Sequence, residues 1–353
     1  MATILILGAG VMGSAIAVPA ADNGHHVRLA ATPLDGTILA ALTRSRDDHP
    51  RLGAPIPSSI EPVDAAALTA DDAAAADLIV LGVSSPGIPW AVETLARLEA
   101  AVPVALVTKG LVANGEARPL TYADALPQML SHKGITLPAL VGIGGPCIAR
   151  ELAERRPTAV VYSGAAMEAA HTARALFQTP YYQIATSDDF VGIEACAAMK
   201  NFFTIGVSAM LGRHQRDGEP VKNPVAAAFQ QAVDELEALS QWIGGRPSTA
   251  YGLAGVGDLH VTVGGGRNSR LGKMLGAGQT VAGAMNGPLD GETVEGVDVG
   301  RVLGPALRAA FAASELDAAG FPLATAIIAA AESGGALHYD VAADPIIDQR
   351  RRA

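Results

Sequence analysis

Five apolar or β-branched residues, Thr3-Ile-Leu-Ile-Leu7, run straight into Gly8-Ala-Gly-Val-Met-Gly13, and this junction restricts the chain more than any other segment. A short apolar run bounded by glycine reads as a buried strand, and glycines spaced this way at the mouth of the next helix answer a steric demand. Gly8 permits a tight turn, Gly10 lets backbone approach a bound pyrophosphate, and Gly13 lets the helix pack closely on the strand. The helix N-terminus behind them presents N–H groups to an anion. Such a motif recurs in ordinary turns, so its weight here comes from following the first strand of an alternating pattern. Pro19 falls inside the helix and is expected to kink it.

That pattern continues with strand-like runs at His26–Ala30, Asp77–Val83, Val104–Thr108, Ala139–Ile143 and Thr158–Tyr162, separated by helical stretches. Alternation of this kind predicts a parallel sheet wrapped by helices. From about Val191 the β-branched runs thin out, and Ala/Leu-rich segments such as Gly192–Leu211, Val225–Ile243 and Val302–Ala330 predict a helical second half. The composition changes at Ser187–Phe190, where Asp188 or Asp189 can cap the following helix, so domains are expected at 1–190 and 191–353. The terminal DQRRRA reads as a frayed end without a role.

With 353 residues, 50% hydrophobic, the chain can bury two sizeable cores. A formal net charge of −10 with 17% charged residues leaves no broad basic face for nucleic acid or an anionic membrane. Cys147 and Cys196 lie far apart without close Cys/His spacing, so neither a disulfide framework nor a metal site is expected. The N-terminus lacks a basic leader, and no run of about 18 uncharged apolar residues follows. The expectation is a cytoplasmic protein.

The end of the second strand is where a ribose-binding acid would sit in a dinucleotide fold, but Thr32-Pro33 stands there. Asp35 has the spacing of a capping-box partner of Thr32. Lys109 follows a buried strand at its carboxyl end, the end that faces the ligand in open α/β sheets; the alternative is a snorkelling lysine. Gly144-Gly145-Pro146 repeats that placement one strand on, and the first amides of an expected helix over Ile148–Glu154 could hold an oxyanion. Lys200 is the lone charged side chain between Ala195 and Leu211. A buried ammonium is costly unless partnered, and a desolvated lysine suits proton donation to a carbonyl, with Asn201 beside it to orient a substrate. The plainer reading pairs Lys200 with an acid such as Glu194. Asp258 and Thr262, four apart, share a face if helical, and Asp258 could hold that ammonium or merely cap a helix. Gly266-Arg267-Asn268 opens a helix near Asn268, where guanidinium and amides form a phosphate receptor; the alternative is a solubilising loop.

Taken in order, GAGVMG, VTKG, GGPCIA with ELAERRPTAVV, Met199-Lys200-Asn201, GLAGVGDL, GGRN and Val294-Glu295-Gly296 resemble the NAD(P)-dependent glycerol-3-phosphate dehydrogenases from residue 2 to about 335. The nine-residue step from Asp258 to Arg267, and HPRLG at 49–53, are similar to archaeal-type members. The resemblance implies an α/β Rossmann domain, an all-α C-terminal domain like that of 6-phosphogluconate dehydrogenase, and a cytoplasmic homodimer. It implies reversible conversion of dihydroxyacetone phosphate to sn-glycerol 3-phosphate. It makes Lys200 the general acid/base, with Lys109, Asp258 and Thr262 beside it, and gives Gly145, Cys147, Asn201, Gly266, Arg267 and Asn268 to substrate. Gly8, Gly10, Val11, Met12, Gly13, Thr32, Lys109, Ala149, Arg267, Val294 and Glu295 fall to the cofactor. Val225 and Gln231 depart from the family, which carries cations there, and leave room for another phosphorylated polyol. A reductase of a different small phosphorylated or carboxylated ketone, of ketopantoate-reductase type, and a non-catalytic NAD(P) sensor are the competing readings; retention of both lysines and Asp258 argues against the sensor.

Overall fold

The computed structural model describes residues 1–115, 117–214, 221–339 and 341; the DQRRRA terminus lies outside them. Met1–Lys109 with Tyr122–Glu194 forms one unit, and Gly110–Thr121 with Ala195–Ala353 forms a second. The division falls at 194/195, inside a helix, rather than at the 190/191 composition change, and the second unit takes a short excursion out of the first half of the chain.

The strands are β1 (Thr3–Leu7), β2 (His26–Ala31), β3 (Glu61–Asp64), β4 (Leu78–Leu81), β5 (Val104–Leu106), β6 (Leu111–Val112), β7 (Leu120–Thr121), β8 (Leu140–Gly144), β9 (Thr158–Ser163) and β10 (Tyr182–Ser187). Eight of them form the sheet of the first unit, ordered β10-β9-β8-β5-β4-β1-β2-β3, while β6 and β7 pair as a hairpin in the second. β1 to β5 and β8 pair in parallel, as the alternation predicts. β9 departs from that expectation by running antiparallel to β8, and β10 then pairs parallel with β9. Helix length accounts for the reversal. Between β8 and β9 the only helix is Ala149–Ala153, whose five residues climb about 7.5 Å, too little to carry the chain back along a strand of about 17 Å. The 11-residue helix Met167–Phe177 restores a parallel step to β10.

Besides the short β6–β7 hairpin, the strands invisible in the sequence are the edges of the eight-stranded sheet. β3 is EPVD, with a proline tolerated because an edge strand has a side free of ladder bonds, and β10 alternates buried and exposed residues at its start. The helix Val11–Asp22 is continuous through the buried Pro19. Strand order reverses at β1 and β4, so the carboxyl ends of these neighbours form the crevice where such sheets bind ligands. A methyl on Gly13 would lie 2.0 Å from the Gly8 carbonyl oxygen, whereas one on Gly10 meets nothing within 4 Å. Gly13→Ala should therefore cost about 1–3 kcal/mol of stability through overpacking. Gly10→Ala should keep the wild-type melting temperature and lose cofactor affinity alone; equal melting losses in both variants would show that Gly10 is structural.

The second unit is built around the helix Phe190–His214, whose Ala195–His214 part lies in it. Asp189 starts this helix by accepting the Gly192 N–H at 3.1 Å. By length and composition it could cross a bilayer, but 94% of its apolar window is buried inside the protein. The helix Arg267–Gly276 lies directly against it: methyls on Gly272 and Gly276 would sit 2.3 and 1.9 Å from the Ile205 and Ala209 carbonyl oxygens. This backbone-to-backbone approach, sealed by Ser208 bonding Ser269 at 3.1 Å, sets the positions of the residues that precede it. Val302–Ala330 is two helices, Glu295–Ala312 and Pro322–Ser333, because Ser314 adopts a left-handed φ of 57° and Pro322 can only begin a helix.

Candidate active site

In the first unit, Gly8 turns the chain with φ +118° and lies against Gly82, just past β4. Sequence reasoning passed over Gly82, although the glycine directly after a four-residue apolar run was its signal. The Ala9 peptide between the motif glycines is held at both ends. Its N–H donates to Asp35 Oδ2 at 3.2 Å, and its carbonyl accepts from Ser14 Oγ at 3.0 Å and lies 3.2 Å from His49 Nε2. His49 Nδ1 accepts the Arg51 and Leu52 N–H groups, which leaves the proton on Nε2, and burial pushes the imidazole below its usual range. Asp35 makes its own half of a capping box with Thr32, while Thr32 Oγ1 accepts the Leu34 N–H at 3.2 Å in place of the Asp35 N–H. Its carboxylate turns inward and takes the Thr32 N–H at 3.0 Å and hydroxyl at 2.8 Å, because the Ala9 amide offers a third donor there.

The turn fits a dinucleotide on its own geometry. Gly10 opens onto free space where a pyrophosphate must approach, and the 12-residue helix Val11–Asp22 begins without a side-chain cap on its first amides. Val11 and Met12 are half-buried and pack against the sheet core, and the Ala149 methyl belongs to that core. Lys109 emerges three residues past β5, with its carbonyl held by Ser85 Oγ at 2.8 Å. Gly145 takes φ +110°, and Cys147 beside it packs half-buried against the core of the unit. The expected helix over Ile148–Glu154 contracts to Ala149–Ala153.

The second unit gathers most of the remaining candidates. Lys200, 7% exposed, donates to Asp258 Oδ1 at 2.9 Å and Thr262 Oγ1 at 2.7 Å. The Thr262 hydroxyl donates to the Asp258 carbonyl oxygen at 2.7 Å, so its lone pair faces the ammonium. Asp258 opens the helix Asp258–Val263 behind a π-helical turn, Leu253–Gly257, and its side chain serves the lysine rather than capping. The plainer pairing of Lys200 with Glu194 is thus set aside. One helix further on, Gly266 takes φ +96° and launches Arg267–Gly276. Asn268, buried, donates to Asn201 Oδ1 at 3.1 Å and accepts the Gly296 N–H at 2.9 Å, tying the lysine's neighbour to the start of Glu295–Ala312. Arg267 pairs with Glu295 at 2.7 Å while remaining 44% exposed, which leaves guanidinium donors facing solvent. Val294 is buried at the head of that helix. Arg270 is spent on Glu292 and the Pro288 carbonyl. Gln231 plays a structural part, donating at 2.7 Å to Glu235, whose carboxyl receives the Leu323 and Ala324 amides at the head of Pro322–Ser333.

Residues 3–170 match the family described as NAD-dependent glycerol-3-phosphate dehydrogenase N-terminus, and residues 189–336 match its C-terminus. The NADP(+)-dependent glycerol-3-phosphate dehydrogenase of Archaeoglobus fulgidus is 33% identical over 80% of this chain and 82% of its own. The glycerol-3-phosphate dehydrogenase [NAD(P)+] of Geobacillus kaustophilus is 31% identical over 84% and 83%. The crystal structure of the Coxiella burnetii glycerol-3-phosphate dehydrogenase superposes with a TM-score of 0.75 over 94% of this chain and 97% of that one, at 22% identity, and so speaks for the fold. With both halves matched in order and relatives above 30% identity across most of its length, the chain belongs to the NAD-dependent glycerol-3-phosphate dehydrogenase family.

Proposed function

We propose that the chain interconverts dihydroxyacetone phosphate and sn-glycerol 3-phosphate with NAD(P)(H), acting as a cytoplasmic homodimer without nucleic-acid or membrane partners. The observation that carries this reading is the buried Lys200 ammonium, aimed by Asp258 and Thr262 and adjoining the Asn201–Asn268 bridge. The nicotinamide, when bound at the Gly8–Gly13 turn, supplies or accepts the hydride. In the reductive direction Lys200 Nζ gives a proton to the carbonyl oxygen as negative charge develops there, and takes it back in the oxidative direction. Asp258 and Thr262 fix the direction of the N–H bonds, so little reorganisation is needed when charge appears. Lys109 orients the substrate, and the open guanidinium edge of Arg267 with the first amides of Arg267–Gly276 receives its phosphate. The test compares dihydroxyacetone phosphate with dihydroxyacetone by loss of reduced-nicotinamide absorbance. Preference for the phosphorylated ketone by about 10²-fold or more supports the reading, since stranding a charge-assisted bond costs that much; equal specificity constants would overturn it.

Cofactor choice follows from Asp35. Asp35, the acid nearest the end of β2, turns its Oδ2 inward to three donors of its own unit, and neither Thr32 nor Pro33 offers an acid to claim a ribose hydroxyl. NADPH should be accepted alongside NADH. A preference for NADH beyond about a thousandfold, roughly 4 kcal/mol, would contradict this.

A further inference from the structure

Glu194 is 2% exposed and lies within the first unit, and none of the roles above uses it. A methyl on Gly142, in β8, would stand 2.5 Å from Glu194 Oε1 and 2.7 Å from the Phe190 ring, so the missing side chain at Gly142 is the space the carboxyl occupies. The other oxygen, Oε2, is buried with no hydrogen-bond partner among the described residues. Gly142 pairs with Leu106 in β5, three residues before Lys109, which brings the carboxyl to the strand end from which Lys109 emerges. Tyr122 stands at the same place: it bonds Ser85, which in turn holds the Lys109 carbonyl, and its phenol is pushed up by burial and by the Glu194 charge.

We propose that Glu194 is a positioning residue for Lys109, a buried acid on the floor formed by Gly142 that fixes where the Lys109 ammonium stands and holds its charge. This rests on the reading of Lys109 as a substrate-orienting group. A buried carboxyl is retained at a cost unless a cation answers it. Burial raises Glu194 and the Lys109 charge opposes the rise, which together leave it at about 8. Among the described residues the titratable groups that feel its charge are one cation, Lys109, and one phenol, Tyr122. Below that range Glu194 is a neutral acid; above it, a carboxylate that stabilises the ammonium.

The deciding measurement is the rate at which Lys109 is acetylated by acetic anhydride, read by peptide mass spectrometry, in wild type and Glu194→Gln, beside the KM for dihydroxyacetone phosphate. At pH about 9 the variant should label Lys109 at least about threefold faster, because the charge favouring the unreactive ammonium is gone, and the gap should close below pH about 7, where wild-type Glu194 is neutral. KM should rise about five- to tenfold with a smaller change in kcat. Wild-type labelling at every pH overturns the proposal whatever the kinetics do. A labelling shift with unchanged KM keeps the Glu194–Lys109 coupling and removes Lys109 from the substrate. Should Glu194→Gln fail to fold, Lys109→Met tests the pair from the other side. A folded-state pKa raised above the unfolded value near 4.5 gives stability that is full at low pH and lost as pH rises through about 8. Without the cation that loss should deepen, so the melting temperature of Lys109→Met should fall more steeply than wild type between pH 7 and 9; parallel slopes would overturn the coupling.

Discussion

Lys200→Ala should lower turnover by about 10²-fold or more, the usual scale for losing a positioned acid, with binding of the reduced nicotinamide near wild type. The same change strands Asp258, which is 2% exposed and receives the ammonium at 2.9 Å. Breaking a buried ion pair from one side costs about 3–5 kcal/mol of stability, so loss of activity by itself would not separate chemistry from folding. A Lys200→Met, Asp258→Asn double variant separates them. With both charges removed, it should regain most of the stability and none of the turnover. Turnover returning with stability would take Lys200 out of the mechanism and leave the pair a structural one.

Arg267→Ala should depress the specificity constant for the phosphorylated ketone by about 2–4 kcal/mol, roughly 30- to 1,000-fold, and Arg267→Lys should restore only part, because an ammonium cannot reproduce the planar fork. The effect should be selective. Dihydroxyacetone, which has no phosphate to lose, should be affected little. Glu295→Gln controls for the ion pair at 2.7 Å: if Arg267 worked only by holding the head of Glu295–Ala312, this variant would reproduce the whole loss. Arg270→Ala breaks its bonds to Glu292 and Pro288 and should leave activity near wild type, as should Lys273→Ala, except for steering of the anionic substrate at low salt. Equal losses on both ketones in Arg267→Ala would make the arginine structural.

Much of this architecture could be read along the chain because it rests on local periodicity. β1 keeps its expected bounds, β2 and β9 differ by one residue, and the glycines of the first turn sit where their spacing puts them. Lys200, Asp258 and Arg267 were legible for a related reason: a charge inside an apolar or glycine-rich stretch is expensive there and must have a partner or a ligand. The edge strands β3 and β10 were not legible, since an edge exposes one side to water and loses the apolar signature. Nor was the reversal at β9, which depends on a helix too short to carry the chain back.

By itself, then, the sequence determined the alternating first half, the helical second half, the glycine turn after β1 and the isolated charges at Lys200, Asp258 and Arg267. Those properties reside in a few consecutive side chains. Only the tertiary structure decided the partners. It joined Lys200 to Asp258 across 58 residues and to Thr262 across 62, turned Asp35 inward to Ala9, and sank Glu194 against Gly142. The physical reason is that a buried polar group accepts whichever partner close packing brings within about 3 Å, and that packing is set by distant small residues such as Gly272 and Gly276, whose missing side chains let two helices touch backbone to backbone.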